Sequence, residues 1–189
     1  YQNYGIRFSR NHEQGGTWAQ WWADTTCSGF GQDYKPKGST YHGDNSHSYD
    51  IYRYTMYYDT SGVPANATIS SAVWNGYIKK VWDSTQAYNA IYLCPVSATG
   101  LSAGYYNKDY FGTALASDAK DDVNTDNYNQ WWSPSIATTA ITKAGTTLLG
   151  LRHYHDYVNS PPWGNNVTAT YEFASYNDAT YKSYLTITW

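Results

Sequence analysis

The sequence predicts an all-β protein, a jelly-roll-like antiparallel β-sandwich with one short helix. Short segments with a period of two alternate with clusters of Gly, Pro, Asn and Asp, which is typical of strands joined by turns. Lys and Glu are scarce while Tyr, Thr, Ser and Asn are abundant, a composition that disfavours helices. At 189 residues the chain is long enough to bury a core as a single domain. We divide it into an N-terminal segment with a long loop (1–48) and a sandwich portion (49–189).

The central prediction is a strand, a tight corner and a second strand between residues 48 and 78. Residues 50–58 alternate, which predicts a half-buried strand with Tyr52, Tyr54, Met56 and Tyr58 on one face and Arg53, Thr55 and Tyr57 on the other. Residues 59–64 (DTSGVP) combine the residue types that break strands and form turns. The chain then resumes as a strand with Ala72, Trp74 and Ile78 on one side.

Other segments predict the remaining elements. Further strands are expected at residues 4–8, 89–96, 147–151, 168–175 and 184–189. The one helix begins with Ser133 as N-cap and Pro134 in the first turn and ends before Gly145, burying Ile136, Ala140 and Ile141. Residues 17–23 fit a short helix or a strand equally well. Residues 29–45, rich in Gly, Lys, Asp and Ser, predict a long exposed loop.

An ordered set of segments occurs between residue 49 and the last residue. They are Arg53, 58–64, 67–72, 103–106, 111–113, 141–145, 147–152 and 184–189. This set resembles the DNRLRE (disaggregatase-related) type of β-sandwich, which is also classed among carbohydrate-binding modules. The resemblance implies an extracellular or phage surface protein and indicates fold more strongly than function. This chain departs from the pattern at Tyr58, where the resemblance implies Phe, and at Trp74, where it implies an aliphatic residue.

Two arginines and one corner aspartate are the predicted structural residues. Arg53 and Arg152 lie on predicted strands with few charges nearby, so each is expected to bridge carbonyl groups or to pair with Asp59 or Asp156. A bidentate Arg–carboxylate pair would hold the corner after the strand. The alternative is a solvated Arg beside an Asp59 that only caps backbone amides of its turn.

The cellular compartment of the protein determines whether its two cysteines can form a disulfide. The chain begins at Tyr1, which a removed signal peptide or a shortened chain explains equally, and we expect an extracellular protein that is secreted or lies on a cell or virion surface. In an oxidising compartment Cys27 and Cys94 would form one disulfide, whereas the alternative is two buried free thiols. Asn66 and Asn166 each begin an N-glycosylation acceptor pattern.

Two patterns point to metal ions. Asp122, Asn124 and Asp126 place oxygen ligands at alternate positions, as in the opening of a calcium loop, although Asn127 stands where an EF-hand has Gly. A structural calcium ion or a solvated acidic loop both explain them, and no other cofactor is expected. His153 and His155 have a spacing that zinc sites use, but the simpler interpretation is a pair of exposed histidines at a strand end.

Aromatic residues carry the main functional signal, since the chain has 22 Tyr and 9 Trp but 4 Phe. Flat aromatic rings stack on the C–H faces of sugars, and binding residues concentrate in loops. Six tryptophans in or beside predicted loops are therefore the predicted ligand-binding residues: Trp18, Trp21, Trp22, Trp131, Trp132 and Trp163. They are core residues in the alternative interpretation. On an extended chain Trp131 and Trp132 point to opposite faces, so one of them is expected to be exposed.

These observations predict a non-catalytic surface protein whose partner is a polysaccharide or cell-surface glycan. A net charge of −3 and 14% charged residues exclude a basic face for nucleic acid, and no apolar run could span a membrane. The first alternative is a structural subunit that polymerises into a filament, sheath or surface layer, with Tyr1–Phe8 (1–8) pairing with the edge of a neighbouring copy. The second is a jelly-roll polysaccharide lyase, although no set of Arg, Gln and His on neighbouring strands accompanies residues 105–108 and Gln130. A glycosidase or serine hydrolase is not expected, because the chain has two Glu, its Asp residues lie mainly in turns and it has no Gly-x-Ser-x-Gly elbow.

Overall fold

A computed structural model describes residues 2–10, 18–23, 25, 29–32, 37–42, 49–83, 90–97, 107–119, 128–161, 167–175 and 177–189. The strands of this part are β1 (Gln2–Arg10), β2 (Gly29–Gln32), β3 (Lys37–His42), β4 (Tyr49–Asp59), β5 (Ser71–Asp83), β6 (Ala90–Pro95), β7 (Ala116–Ala119), β8 (Gln130–Trp132), β9 (Thr146–His153), β10 (Val167–Phe173) and β11 (Tyr184–Thr188). Its α-helices are α1 (Trp18–Ala23) and α2 (Tyr154–Tyr157). Neither of these helices has the length and apolar character needed to cross a membrane.

The strands form two antiparallel sheets packed face to face, which confirms the predicted all-β sandwich. Hydrogen bonding connects them in the order β11-β5-β10-β3-β4-β9-β6-β7, with β8 on β5 and with β1 pairing with both β4 and β2. Each recorded strand pair is antiparallel, so every strand can alternate inward and outward side chains. The jelly-roll arrangement remains a prediction.

The core is formed by buried side chains of β4, β6 and β9 from one part of this strand order and of β5 and β10 from the other. Its fully buried members include Tyr54, Met56 and Tyr58 of β4, which pack on the same cluster as Trp74 and Phe173. The ring centroids of Trp74 and Phe173 are 5.5 Å apart in an edge-to-face arrangement. Burial of each large side chain contributes roughly 1.5–3 kcal/mol, so this cluster holds the two sheets together.

Strand β4 is buried on both faces, whereas the sequence predicted a half-buried strand. Arg53, Thr55 and Tyr57, on the face opposite to the core, are also buried. The reason is a second layer outside the sandwich, where α1 and α2 cover this face of β4 and β9. Alternation in sequence shows two faces but not what covers each of them.

Strand β5 contains a bulge that changes which residues face the core. In its pairing with β10, Lys80 lies opposite Glu172 and Ile78 lies opposite Phe173, so Lys79 is an extra residue. Ala72, Trp74 and Ile78 are buried before the bulge and Val81 after it, a spacing that strict alternation would not allow.

The strands predicted at 4–8, 50–58, 89–96, 147–151, 168–175 and 184–189 are confirmed as β1, β4, β6, β9, β10 and β11, and the strand predicted after the corner is confirmed as β5, which begins at Ser71. Residues 18–23 adopt the helical alternative as α1. The N-terminal strand β1 pairs with β4 of its own chain from Gln2 to Arg10 and with β2 from Ile6 to Ser9, and the pairing of residues 1–8 with another copy stays a prediction.

Two further predictions are wrong. Residues 29–45 are not one exposed loop, because β2 and β3 form within them and β3 lies between β10 and β4. Pairing with two sheet neighbours outweighs the weak strand preference of Gly, Ser and Lys.

No helix begins at Ser133–Pro134, since this segment runs extended along the edge of β5. The amide of Trp74 donates to the Pro134 carbonyl at 3.1 Å and the Ile136 amide to the Ala72 carbonyl at 2.9 Å. Only Thr138–Ala140 forms a 3-10 turn, although Ile136 and Ile141 are buried as predicted. An open sheet edge supplies hydrogen-bond partners that helix capping signals cannot compete with.

Candidate functional site

Four aromatic side chains meet on the outer surface of the sheet that contains β5. Trp131 is 43% exposed, Tyr181 is 37% exposed and Tyr184 is 36% exposed, and the half-buried Tyr77 lies among them. We call these four residues the aromatic platform. Contiguous exposed aromatic surface of this kind marks a contact site, because a soluble protein otherwise covers such groups.

Strand register places three members of the platform side by side. Tyr77 of β5 lies directly opposite Trp131 of β8, and Tyr184 of β11 lies opposite Asn75. Val73 pairs with Ser135 on one edge of β5 and with Thr186 on the other, so β8 and β11 flank β5. The outer strands β8 and β11 are about 10 Å apart, but the ring centroids of Trp131 on β8 and Tyr184 on β11 are only 5.7 Å apart.

Trp131 and Trp132 point to opposite faces of β8, as the sequence predicted. Trp131 is exposed on the platform, while Trp132 is partly buried against the core with its ring 5.3 Å from that of Trp74. Trp132 therefore supports the fold and Trp131 is the residue that a ligand can reach.

The platform rings lie in two different orientations. Tyr77 and Tyr181 stack at 4.1 Å with an interplanar angle of 21°. Trp131 is steeply inclined to its neighbours, at 73° to Tyr77 and 72° to Tyr184, with centroids 5.2 Å and 5.7 Å away. Edge-to-face contacts of this type are favourable for aromatic pairs and hold the indole in place.

A turn before β11 presents Tyr181 to the platform. The Asp178 carboxylate accepts hydrogen bonds from the amides of Thr180 and Tyr181, both at 2.9 Å, and pairs with Lys79 Nζ at 3.2 Å. These backbone hydrogen bonds from Tyr181 and Thr180 hold the pKa of Asp178 below its ordinary value, and Lys79 adds to the effect. The Lys79 ammonium also lies 5.7 Å from the centre of the Tyr181 ring.

Polar groups border the platform on the same sheet face. Ser133 and Thr186 are exposed, and the amide nitrogen of Asn75 donates to Thr186 Oγ1 at 3.3 Å. Because that oxygen accepts this bond, the Thr186 hydroxyl proton is available to donate outward. The surface thus combines aromatic rings with hydroxyl groups, which is the pairing that sugars require.

Arg53 and Arg152 form a buried ion cluster with Asp156. Arg53 Nε donates to Asp156 Oδ2 at 2.9 Å and Arg53 Nη2 to Oδ1 at 2.5 Å, while Arg152 Nε donates to Oδ2 at 2.8 Å. Both arginines thus take one of the two partners that the sequence named. Burial by itself raises the pKa of Asp156, but the two guanidinium groups and their hydrogen bonds more than offset it and hold this pKa well below its ordinary range.

Asp59 pairs with neither arginine. Its Oδ1 accepts a hydrogen bond from the Ser61 amide at 3.0 Å. Hydrogen bonds from the side chain and the backbone of Ser61 lower the pKa of Asp59. The alternative of a corner aspartate that caps its own turn is therefore the one observed.

The tryptophans of α1 belong largely to the layer that covers the ion cluster. Trp18 is buried and its Nε1 donates to Asn159 Oδ1 at 3.0 Å, while Trp22 Nε1 donates to the Asp156 carbonyl at 2.6 Å. Lys108 Nζ lies 4.4 Å above the Trp22 ring. The core-type interpretation applies to Trp18, and Trp22 is half-buried in the same layer. The backbone of Trp21 is helical, and Trp163 lies outside the described residues.

His153 and His155 are buried, so their interpretation as exposed strand-end residues is wrong. Helix α2 folds back over the end of β9, and the two rings stack at 5.3 Å. His153 Nδ1 lies 3.2 Å from Thr40 Oγ1 and accepts the His155 amide at 3.3 Å. Burial, reinforced by repulsion from His155, lowers the pKa of His153 well below its ordinary value.

Metal and cysteine predictions fall mostly outside the described part of the chain. The predicted calcium ligands Asp122, Asn124 and Asp126 lie outside it, and no group of three or more His, Cys, Asp and Glu within it could hold a metal ion. Cys94 is buried with a free thiol, and burial raises its pKa to about 12. Cys27 lies outside the described residues, and the free thiol of Cys94 agrees with the alternative of unpaired cysteines and not with the predicted disulfide.

Comparison with known proteins adds no relative. No protein-family model matches the chain. A search of curated proteins likewise returned no match. The resemblance to the DNRLRE type of β-sandwich therefore remains a prediction from the residues themselves.

Sequence reasoning missed three of the four platform residues. Tyr77 and Tyr184 could have been found, because alternation turns Tyr77 away from the inward Trp74 and Ile78 of β5 and turns Tyr184 away from the apolar Leu185 and Ile187 of β11. Tyr181 has no such signal, since only the turn built by Asp178 brings it against Tyr77.

Proposed function

We propose that this chain is a non-catalytic β-sandwich that binds glycans outside the cell through the aromatic platform. The observation that carries the proposal is the exposed Trp131 ring, fixed edge-on by Tyr77 and Tyr184 and bordered by the hydroxyl groups of Ser133 and Thr186. A sugar ring can place its C–H face on the indole while its hydroxyl groups bond to those neighbours.

Arg53 and Arg152 are not available to the lyase alternative. A lyase of the jelly-roll type needs Arg side chains that reach the uronate carboxylate of its substrate. Arg53 and Arg152 instead bind Asp156 in the interior, where they stabilise the fold.

The self-assembly alternative stays a second proposal, in which the edge of β1 that pairs with β4 of its own chain does not take part. A filament or surface layer would now need another contact surface. Sedimentation of the purified chain tests this alternative independently of glycan binding, since polymers would sediment far ahead of a 21.4 kDa monomer.

A glycan microarray followed by calorimetry on the retained glycans tests the proposal. Trp131→Ala should lower the association constant about tenfold or more, because an exposed aromatic residue at the centre of a contact site contributes a large share of the binding energy. Trp189→Ala is the matched control. Trp189 is 57% exposed but follows the far end of β11 from Tyr184, so its loss should leave binding unchanged.

Binding that is equal in the wild type and in Trp131→Ala would show that the platform is not the site. Retention of no glycan on the array, with the folded state confirmed by circular dichroism, would contradict the function itself.

A further inference from the structure

The platform is not flat. The Trp131 ring stands at 73° to Tyr77, at 72° to Tyr184 and at 54° to Tyr181, so no second ring shares its plane. Tyr77 and Tyr181 are close to parallel, but they cover one face of each other at 4.1 Å. Ring faces that remain open to a ligand therefore point in clearly different directions.

This geometry distinguishes two forms in which a glycan can be presented. The face of a crystalline polysaccharide is flat over many sugar units, and only coplanar rings can lie against it together. A single chain in solution rotates about its glycosidic bonds, so successive sugar rings can follow surfaces inclined to one another. One sugar can then stack on Trp131 while its neighbour contacts Tyr184 or Tyr181.

The polar groups of the same face lead to the same conclusion. Ser133 and Thr186 offer hydroxyl groups beside the rings, and Asn75 orients Thr186 through its 3.3 Å hydrogen bond. Such groups can bond only to sugar hydroxyls that are free. In a crystalline polysaccharide many of these hydroxyls are already bonded within the lattice, whereas a solvated chain exposes them.

We propose that the ligand of the aromatic platform is a single solvated glycan chain and not the packed surface of an insoluble polysaccharide. This inference rests on the proposed glycan-binding function and specifies its ligand. The Trp131 ring centroid lies 5.7 Å from that of Tyr184 and 6.4 Å from that of Tyr181, so two adjoining sugar rings of one chain can each contact a different aromatic ring.

The test uses three polymers, β-1,4-glucan, chitin and β-1,4-mannan, each in a soluble and a crystalline form. The soluble probes are the hexasaccharides, measured by calorimetry, and the crystalline probes are washed microcrystalline powders, measured by depletion from solution. Each is applied to the wild type, Trp131→Ala and the control Trp189→Ala. Soluble polysaccharides retained on the glycan array are added as further probes in affinity electrophoresis.

The expected result is binding of at least one soluble probe that Trp131→Ala weakens about tenfold or more, with no Trp131-dependent depletion by the crystalline powders. Depletion by a crystalline powder that depends on Trp131, with no binding of the matching hexasaccharide, would overturn this inference and leave the glycan-binding function standing. Absence of Trp131-dependent binding to every probe in either form would overturn both. The two failures are therefore distinguishable.

Discussion

The Tyr58 hydroxyl lies in the interior between the two sheets, where Trp74 Nε1 donates to it at 2.7 Å and Ser183 Oγ lies at 2.9 Å. Burial raises the pKa of Tyr58 far above its ordinary value. Tyr58 and Trp74 are the two positions at which the predicted resemblance to the DNRLRE type implies other residues, Phe in place of Tyr and an aliphatic residue in place of Trp. The structure shows that each departure satisfies the other, because the indole N–H needs an acceptor in the core.

A double-mutant cycle tests this coupling. Tyr58→Phe keeps the ring but leaves the Trp74 N–H without its acceptor, so the free energy of unfolding should fall by about 1–3 kcal/mol. In a Trp74→Phe background that N–H is absent, and the same change should cost at least about 0.5 kcal/mol less. Urea unfolding of the four proteins measures both values.

The control for this cycle is Tyr184→Phe, which removes the hydroxyl of an exposed tyrosine and should change stability by less than about 0.5 kcal/mol. Costs that simply add in the double mutant would show that Tyr58 and Trp74 are energetically independent.

Individual elements decide how the platform is assembled. The bulge at Lys79 interrupts the alternation of side chains along β5. The Lys79 ammonium group pairs with the Asp178 carboxylate at 3.2 Å. Asp178 in turn binds the Thr180 and Tyr181 amides and so sets the turn before β11. This turn stacks Tyr181 on Tyr77, which makes Asp178 a positioning residue that does not itself face the ligand.

Replacement of Asp178 tests that positioning role. Asp178→Ala removes the acceptor of both amides, so the Tyr77–Tyr181 stack should loosen and the ring-current shifts of the two tyrosines in NMR spectra should decrease. Asp178→Asn retains an oxygen that can accept these amides but loses the ion pair. The Asn variant should therefore keep most of the shift, since a surface ion pair contributes only about 0–1 kcal/mol.

Identical spectra for Asp178→Ala and the wild type would show that the turn does not depend on Asp178. This readout needs no ligand, so it holds whether or not a glycan has been identified.

At the scale of the whole molecule, the sandwich carries a second buried layer outside one of its sheets. The Arg53–Asp156–Arg152 cluster joins β4, β9 and α2, and Trp22 Nε1 adds α1 through the Asp156 carbonyl. Removal of one member would leave a charge buried without its partner, which typically costs about 3–5 kcal/mol. The same region holds the stacked His153 and His155, so its stability depends on pH.

Acid is expected to destabilise the protein in two steps. The pKa of His153 is lower in the folded than in the unfolded state, so below about pH 6.5 the unfolded state binds more protons. The free energy of unfolding therefore decreases as the pH is lowered. The pKa of Asp156 is also lowered by folding, so a second loss with the same sign begins below about pH 4. Urea unfolding at pH values from 7.5 to 3 measures both steps.

His153→Asn provides the matched comparison, because it removes the titrating group while keeping a polar side chain near Thr40. It should flatten the decline between pH 7 and pH 5 and leave the more acidic decline in place. An unchanged slope in the variant would assign the first step to another group.

Local patterns in the sequence determined much of the sandwich, because alternation and turn residues act over a few neighbouring positions. They indicated β4, the corner at 59–64, β9 and β11, Asp156 as one of two possible carboxylate partners of the arginines, and the opposite orientation of Trp131 and Trp132. They did not indicate β3, whose residues form a strand only because two neighbours bind its backbone. Nor did they indicate the extended path after Ser133, which depends on the edge of β5.

The candidate site divides in the same way. The amino-acid sequence by itself determined that this is a β protein rich in tyrosine and tryptophan, because side-chain period and composition are properties of the chain alone. Only the tertiary structure decided which aromatic rings are buried beside Asp156 and which form a surface with Trp131. That choice depends on which sheet faces are covered by other elements, and contacts between residues far apart in the chain leave no period in the sequence.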